Sequence, residues 1–187
     1  MSSRASGWSC LIVGTMMAAA STTAFAQEKG QVGITMGYPS SVGVVWHVSD
    51  KLAVRPELSF AQSSSEVTVS GLPSGTANTD GWNFGTGVSG LFYVRTQDQL
   101  HLYVSPRWTY SRVTSNSVAS DITATSWSIA GSFGAQYALS RHFAAFGELG
   151  LAYTHARATS TPVLPISSEA VGHTTGTRTG VGVIVYF

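Results

Sequence analysis

The sequence predicts an all-β fold, specifically a transmembrane eight-stranded antiparallel up-and-down β-barrel. Eight segments alternate apolar residues with small or polar ones, at the period of two that a β-strand requires. Charged residues make up 10% of the chain, whereas a soluble domain has about 25%. After the N-terminal segment no apolar run approaches the roughly 18 to 20 residues of a membrane helix. A closed barrel is then the membrane structure that leaves no strand edge unpaired in lipid.

The first 26 residues have the order of a secretory signal peptide: one positive charge at Arg4, an apolar core "CLIVGTMMAAA", and "AFA" at Ala24 to Ala26. Cys10 stands at the start of that core, so a lipoprotein anchor is not expected. We therefore predict a removed signal at 1–26 and one outer-membrane barrel domain at 27–187. That domain contains no cysteine, which excludes disulfides and thiolate metal sites within it.

The charge balance excludes nucleic acid as an expected partner. Removing Arg4 from the ten Lys and Arg residues leaves nine, against nine Asp and Glu residues. A net charge near zero provides no basic surface for phosphate groups.

Each of the eight runs predicts a strand with one apolar face, opposite a face of glycine, serine, alanine and threonine. The apolar faces of the first four runs are Val32, Ile34, Met36 and Tyr38; Val42, Val44, Trp46 and Val48; Leu52, Val54, Pro56, Leu58 and Phe60; and Trp82, Phe84, Val88, Phe92 and Val94. Those of the last four are Leu100, Leu102, Val104, Pro106, Trp108 and Tyr110; Trp127, Ile129, Phe133, Ala135, Tyr137 and Leu139; Leu149, Leu151 and Tyr153; and Val181, Val183, Val185 and Phe187. Because proline cannot donate to a ladder, we expect a bulge or an unpaired acceptor beside Pro56 and Pro106.

The connections predict which end of the barrel is which. Short turns are predicted at Ser49 to Lys51, Arg95 to Gln99 and Ser140 to His142, and long polar loops at Ser63 to Thr79, Thr114 to Thr125 and Ala158 to Thr175. Short periplasmic turns opposite longer external loops are typical of outer-membrane barrels. The alternation in "EVTVS" indicates that some loops protrude as hairpins. The loops at 63–79 and 158–175 are the candidate sites for an external ligand.

The apolar face is predicted to contact lipid, because its aromatic residues fall toward the ends of the runs, as in interfacial girdles. The opposite face suits an eight-stranded interior, which has space only for side chains. A soluble barrel would have the reverse arrangement, with a charged coat outside.

The inward parity also collects a candidate polar network in the lumen. Its charged members are Arg55, Glu57, Arg107, Glu148 and Arg178, and His47, His101 and Gln136 share the same parity. A charge in a narrow lumen must be paired or hydrated, so we expect a salt-bridged plug. A small gated pore and a polar catalytic site are the alternatives.

Other motifs give weaker signals. "GTGVSG" at Gly85 to Gly90 fits a nucleotide-binding spacing, but more strand follows it where a helix would be required. A lipid-modifying hydrolase would need serine, histidine and an acid together near the membrane rim. We see no such stretch, no histidine and carboxylate spacing for a metal, and expect no catalytic residues, cofactor or metal.

The chain resembles the small eight-stranded outer-membrane barrels of the OmpA and OmpX type across residues 28–187. The most specific motif is the end, where Val181, Val183, Val185 and Phe187 match the terminal assembly signal of that family. The resemblance implies export, insertion by the barrel-assembly machinery with periplasmic chaperones, and outer-membrane lipids as surroundings. It implies no single activity, because such barrels include adhesion and serum-resistance proteins, structural anchors and lipid-modifying enzymes.

From these observations we expect an integral outer-membrane protein with a closed polar interior and a structural or surface-interaction, adhesin-like role through its external loops. A small channel is the alternative, followed by a lipid-A-modifying enzyme.

Overall fold

The computed structural model describes residues 29–38, 41–69, 75–117, 120–162 and 168–187. Within them the chain forms eight strands: β1 (Val32–Tyr38), β2 (Ser41–Ser49), β3 (Leu52–Val69), β4 (Gly75–Gln97), β5 (Leu100–Ser117), β6 (Ser120–Ala138), β7 (Phe143–Pro162) and β8 (Ser168–Tyr186). Each strand pairs antiparallel with the next, and β8 pairs with β1 to close the barrel. The predicted fold class is therefore confirmed. The predicted signal peptide lies outside the described residues.

The alternation of the sequence becomes the two faces of the barrel wall. At the end of β8, Val181 and the following Phe187 are 58% and 74% exposed, whereas Ile184 and Tyr186 between them are 0% and 5% exposed. The same parity holds around the ring, so the apolar and aromatic residues named for each run point outward. No helix in the described part of the chain is long and apolar enough to cross a membrane.

The interior at the tight-turn end is closely filled. Inward side chains from six strands form one buried cluster there, made of Val45, Ala53, Leu91, Tyr93, Tyr103, Ala144, Ile184 and Tyr186. An eight-stranded barrel has a bore that side chains alone can fill, and here they are buried against one another.

The prediction of long loops was wrong in large part, because most of the residues assigned to these loops continue the strands. β3 and β4 stay paired from Leu52–Phe92 up to Val69–Gly75, and β7 and β8 from Phe143–Val185 up to Ser160–Ser168. These segments are rich in serine and threonine, which are common in loops, and their composition therefore favoured a loop prediction. Threonine is nevertheless a good strand former, and a strand with solvent on both faces needs no apolar alternation.

The two prolines interrupt pairing without shifting it. The β2–β3 pairing includes Gly43–Glu57 and resumes in the same register at Trp46–Val54, on either side of Pro56. Around Pro106 the β4–β5 pairing likewise passes from Ser89–Arg107 to Phe92–Val104. Of the two expected outcomes, the missing amide produces a gap in the ladder. The register shifts lie elsewhere, between His47 and Ser49 and between Tyr93 and Arg95.

The outward assignment generates a test at Leu149, which is 63% exposed and lies about 15 Å along the barrel axis from the start of β7, near the middle of a 25 Å apolar band. We expect Leu149→Arg to cost roughly 2 to 4 kcal/mol of folding free energy, because a charge at the midplane must leave water. Urea titration of the barrel in lipid vesicles measures the loss. Thr159→Arg, on the same face of β7 but beyond the band, is the matched control and should change little. Equal losses in the two variants would contradict the assignment.

Candidate functional site

Five charged side chains meet inside the barrel as one chain of ion pairs. Arg55 and Glu57 are two residues apart on β3 and therefore share the inward face, where Arg55 Nε lies 2.7 Å from Glu57 Oε1. Arg55 Nη2 lies 2.5 Å from Glu148 Oε1 on β7. At the two ends of the chain, Arg107 contacts Glu57, and Arg178 Nη1 lies 3.1 Å from Glu148 Oε2. The structure thus brings together all five predicted charged residues, which we call the interior ion network.

The middle of the ion network is dry and its ends are partly open. The side chains of Arg55 and Glu148 are each 1% exposed, and that of Glu57 is 5% exposed. Those of Arg107 and Arg178 are 14% and 19% exposed. Each buried carboxylate contacts two guanidinium groups, which is how a buried charge is tolerated. With three arginines against two glutamates, the network has a formal charge of +1. Its two more exposed ends, Arg107 and Arg178, are both cationic.

A layer of aromatic and amide groups supports the network from the tight-turn end. Tyr103 donates to Glu148 Oε1 at 3.0 Å, and Tyr93 donates to Gln136 Oε1 at 3.1 Å. Gln136 Nε2 donates to the Tyr186 hydroxyl at 2.9 Å. The same hydroxyl lies 3.1 Å from His47 Nε2. Each of these bonds joins two strands that are separated by one strand in the ring, so the layer links the wall through its interior.

The remaining predicted interior residues belong to this supporting layer. His47, His101 and Gln136 are at most 1% exposed, and the Tyr93 ring contacts both imidazoles. Sequence reasoning overlooked Tyr93, Tyr103 and Tyr186 as polar residues, although their inward parity could have indicated it. Tyr103 fits because Gly134 on the paired strand leaves the space that a Cβ would share with its ring.

On the other side of the ion network the barrel opens into a cavity of about 380 Å³. Glu57 and Arg107 form its floor, and small polar side chains higher on the strands form its walls, among them Ser59, Asn83, Thr109 and Ser111. The cavity therefore lies on the opposite side of the ion network from the supporting layer. Below the cavity, within the described residues, the bore is filled by the buried side chains of the ion network and its supporting layer.

The other predicted motifs have no ligand-binding geometry in the described residues. "GTGVSG" lies within β4 and opens no helix. No group of three or more His, Cys, Asp or Glu side chains in the described ranges is arranged to hold a metal ion. Val181, Val183 and Val185 point outward from β8 ahead of Phe187, and their role as an assembly signal stays a prediction.

A closed eight-stranded barrel with an apolar exterior, a salt-bridged interior, and the start of β1 and the end of β8 on the side of the tight turns defines a small outer-membrane barrel protein. The chain belongs to the outer membrane protein beta-barrel domain family, whose model matches residues 10–184. Its location is the outer membrane. The tight-turn end is accordingly periplasmic and the opposite end external.

Solved structures share this fold at low sequence identity. A major outer membrane protein from Thermus thermophilus is similar with a TM-score of 0.55 and 14% identity, over 84% of this chain and 98% of that chain. CarO of Acinetobacter baumannii (TM-score 0.42, 13% identity, 85% and 98% coverage) and Ail, the attachment invasion locus protein of Yersinia pestis (0.39, 12%, 84% and 95%), are also similar. No curated protein matches the chain in sequence. The Thermus likeness supports the barrel fold alone.

Breaking the ion network from its centre should be costly. Glu148→Ala leaves Arg55 and Arg178 without their shared carboxylate, and removing one partner of a buried pair typically costs about 3 to 5 kcal/mol. Urea unfolding in lipid vesicles, with the loss of heat-modifiable gel mobility as a second readout, measures the effect. Glu169→Ala is the matched control, because its exposed pair with Arg157 is screened by water and contributes little. A Glu148→Ala barrel as stable as the control would remove the support for a structural plug.

Proposed function

We propose that the protein is a non-conducting, non-enzymatic outer-membrane barrel whose ion network is a structural plug and whose external part mediates surface interaction. The observation that carries this proposal is the length of the strands. Spanning the membrane takes about 9 to 11 residues per strand, whereas β3 to β8 have 18 to 23 residues. About half of each of these strands therefore stands beyond the membrane on the external side.

This external half is an ordered sheet. We define the external projection as the parts of β3 to β8 beyond the outer aromatic residues Phe60, Trp82, Tyr110, Trp127 and Tyr153. The antiparallel pairing continues through it, for example at Ser64–Asp80, where the Ser64 hydroxyl donates to the carboxylate at 2.7 Å. An ordered projection presents a fixed surface at little further entropic cost on binding, which favours recognition.

The projection also has two free strand edges. β1 and β2 contain only 7 and 9 residues. The described β1–β8 pairing ends at Tyr38–Val181, and the described β2–β3 pairing ends at Val42–Leu58. Beyond these points β3 and β8 are each paired on one side only in the described register. An exposed edge accepts an extended peptide as an added strand, so we propose an extended segment of an external protein as the partner.

The interior supports a structural role over a channel. A pore needs a continuous aqueous path, whereas buried side chains fill the middle of this bore: Arg55, Glu57 and Glu148 are 1 to 6% exposed. The side chains of Arg107 and Arg178, at the ends of the ion network, are 14% and 19% exposed. The contacts of the histidines do not support a hydrolase either. His47 contacts Tyr186, and His155 contacts His173, rather than a serine and an acid.

The plug generates a conductance test. We expect the wild-type barrel to give no steady current in a planar bilayer, and Arg55→Ala combined with Glu148→Ala to produce small openings, because that pair crosses the middle of the bore. The matched control is Arg157→Ala with Glu169→Ala, which removes an ion pair outside the barrel and should leave the bilayer silent. Steady wild-type current would replace the plug with the channel.

The projection generates a binding test. Replacing residues 65–79 by an Asn-Gly turn would join Ser64 directly to Asp80 through a two-residue hairpin. Because this shortens the β3 edge and leaves the β8 edge, it should weaken adhesion of cells displaying the barrel to wells coated with extracellular-matrix protein. The same shortening of the β5–β6 hairpin between Thr114 and Thr123 is the control, because that hairpin lies inside the sheet and carries no free edge. Surface display is verified by protease shaving. Wild-type adhesion no greater than that of cells without the barrel would restrict the protein to a structural role.

A further inference from the structure

The outer face of the barrel carries a cluster of donor atoms that the plug and the free edges do not use. His155 on β7 and His173 on β8 are direct register partners, and their Nδ1 atoms lie 3.1 Å apart. The Tyr153 hydroxyl lies 2.7 Å from the same His173 Nδ1. One oxygen and one nitrogen therefore lie within 3.1 Å of His173 Nδ1 on the surface.

Hydrogen bonding alone requires His173 Nδ1 to share one proton or one lone pair between two neighbours. An imidazole nitrogen has either one proton or one lone pair, so it makes one good hydrogen bond. His173 Nδ1 nevertheless has two close neighbours, the Tyr153 hydroxyl and His155 Nδ1. A cation bound by His173 Nδ1 together with these two neighbours would remove that competition.

The spacing matches that of ligands on one transition-metal ion. With metal–nitrogen bonds of about 2.0 to 2.1 Å, two cis ligands in a square plane lie about 2.8 to 3.0 Å apart, and two ligands of a tetrahedron about 3.3 to 3.4 Å apart. The observed 3.1 Å and 2.7 Å are closer to the square-planar edge. Nitrogen and oxygen ligands in that arrangement favour Cu(II), which also has the highest affinity among the divalent first-row metals.

We propose that Tyr153, His155 and His173 form a binding site for Cu(II) on the external rim of the barrel. The two imidazoles are the principal ligands, and the phenol is the third donor. Solvent completes the coordination. Binding requires the imidazole nitrogens to be unprotonated, so the site releases the protons that it holds.

The site lies where an aqueous ion can reach it. His155 is twelve residues along β7 from Phe143, roughly 30 Å along the barrel axis and so beyond the 25 Å apolar band. Tyr153 and His173 are exposed. The Trp127 ring stacks on His155 at 5.6 Å between centroids and contacts Tyr153, which limits the orientations of both ligands.

Such a site would join the last two strands of the external projection. Beyond Val181, β8 has β7 as its described neighbour, and a metal bridging His155 to His173 adds a cross-strand link on that side. The proposal does not depend on the adhesin-like role, since a structural barrel would gain the same link.

The test is titration of Cu(II) into tag-free protein purified from outer membranes in detergent, followed by electron paramagnetic resonance and tryptophan fluorescence. We expect one tightly bound ion per chain, a tetragonal spectrum with coupling to two nitrogens, and quenching of Trp127. His155→Ala and His173→Ala should each weaken binding at least tenfold and reduce the coupling to one nitrogen. Tyr153→Phe should weaken binding by a smaller factor.

The matched control is His142→Ala, which removes an exposed histidine from the periplasmic turn and should leave the titration unchanged. Heat-modifiable mobility verifies the fold of each variant, and His173→Phe provides a ring-preserving substitute if the alanine variant does not fold. The proposal is overturned if His155→Ala with His173→Ala binds Cu(II) as tightly as the wild type, or if the wild-type spectrum shows no coupling to two nitrogens. Loss of adhesion with copper binding intact would count against the proposed function and leave the metal site standing.

Discussion

The constraint on which the rest of this structure depends is that a backbone in lipid must satisfy all its hydrogen bonds within the protein. Closure of β8 onto β1 meets that constraint, and it determines the strand parity. Once the wall is closed, every outward residue of the membrane band faces lipid and every inward residue faces seven other strands. The alternation in "GVGVIVYF" follows from this, because Val183 and Val185 take the outer face and Ile184 and Tyr186 the inner one. The wall departs from full pairing at the gaps beside Pro56 and Pro106 and at the two register shifts, and the outward side chain of each proline meets the lipid face.

A narrow closed wall then limits what the interior can be. Eight strands leave a bore that single side chains span, so a charge on one strand reaches a partner on the opposite wall. Arg55 and Glu148 come from β3 and β7, far apart around the ring, yet their side chains pair across the middle. Replacing the pair with apolar residues would remove a desolvation penalty but also a specific link between opposite walls. The aromatic and amide layer below adds further links between strands.

The sequence was sufficient for the fold and for the membership of the ion network, because both follow from parity alone. Val104 and Arg107 differ in face whatever the register of their strand. The partners were not predictable, because pairing depends on register and on the reach of each side chain: Arg107 joins Glu57 and not Glu148. The same limit concealed the convergence of His155 and His173, which are eighteen residues apart and meet only because of the β7–β8 register. The prediction of strand length failed for another reason. A strand of serine and threonine with solvent on both faces has no alternation of apolar residues from which its length could be read.

The unequal strand lengths connect the membrane domain to its external surface. A barrel closed over its whole height would expose no edge, but β1 and β2 stop near the external membrane boundary while their neighbours continue. The ring of paired strands is thus closed within the membrane band. It is open beyond the band, where water can form hydrogen bonds with the unpaired backbone groups. An edge in water is tolerable and also available for pairing. Because β3 and β8 are anchored below by the plug and the ring, their free edges are held in position. The position of the two short strands therefore determines where the proposed partner would pair.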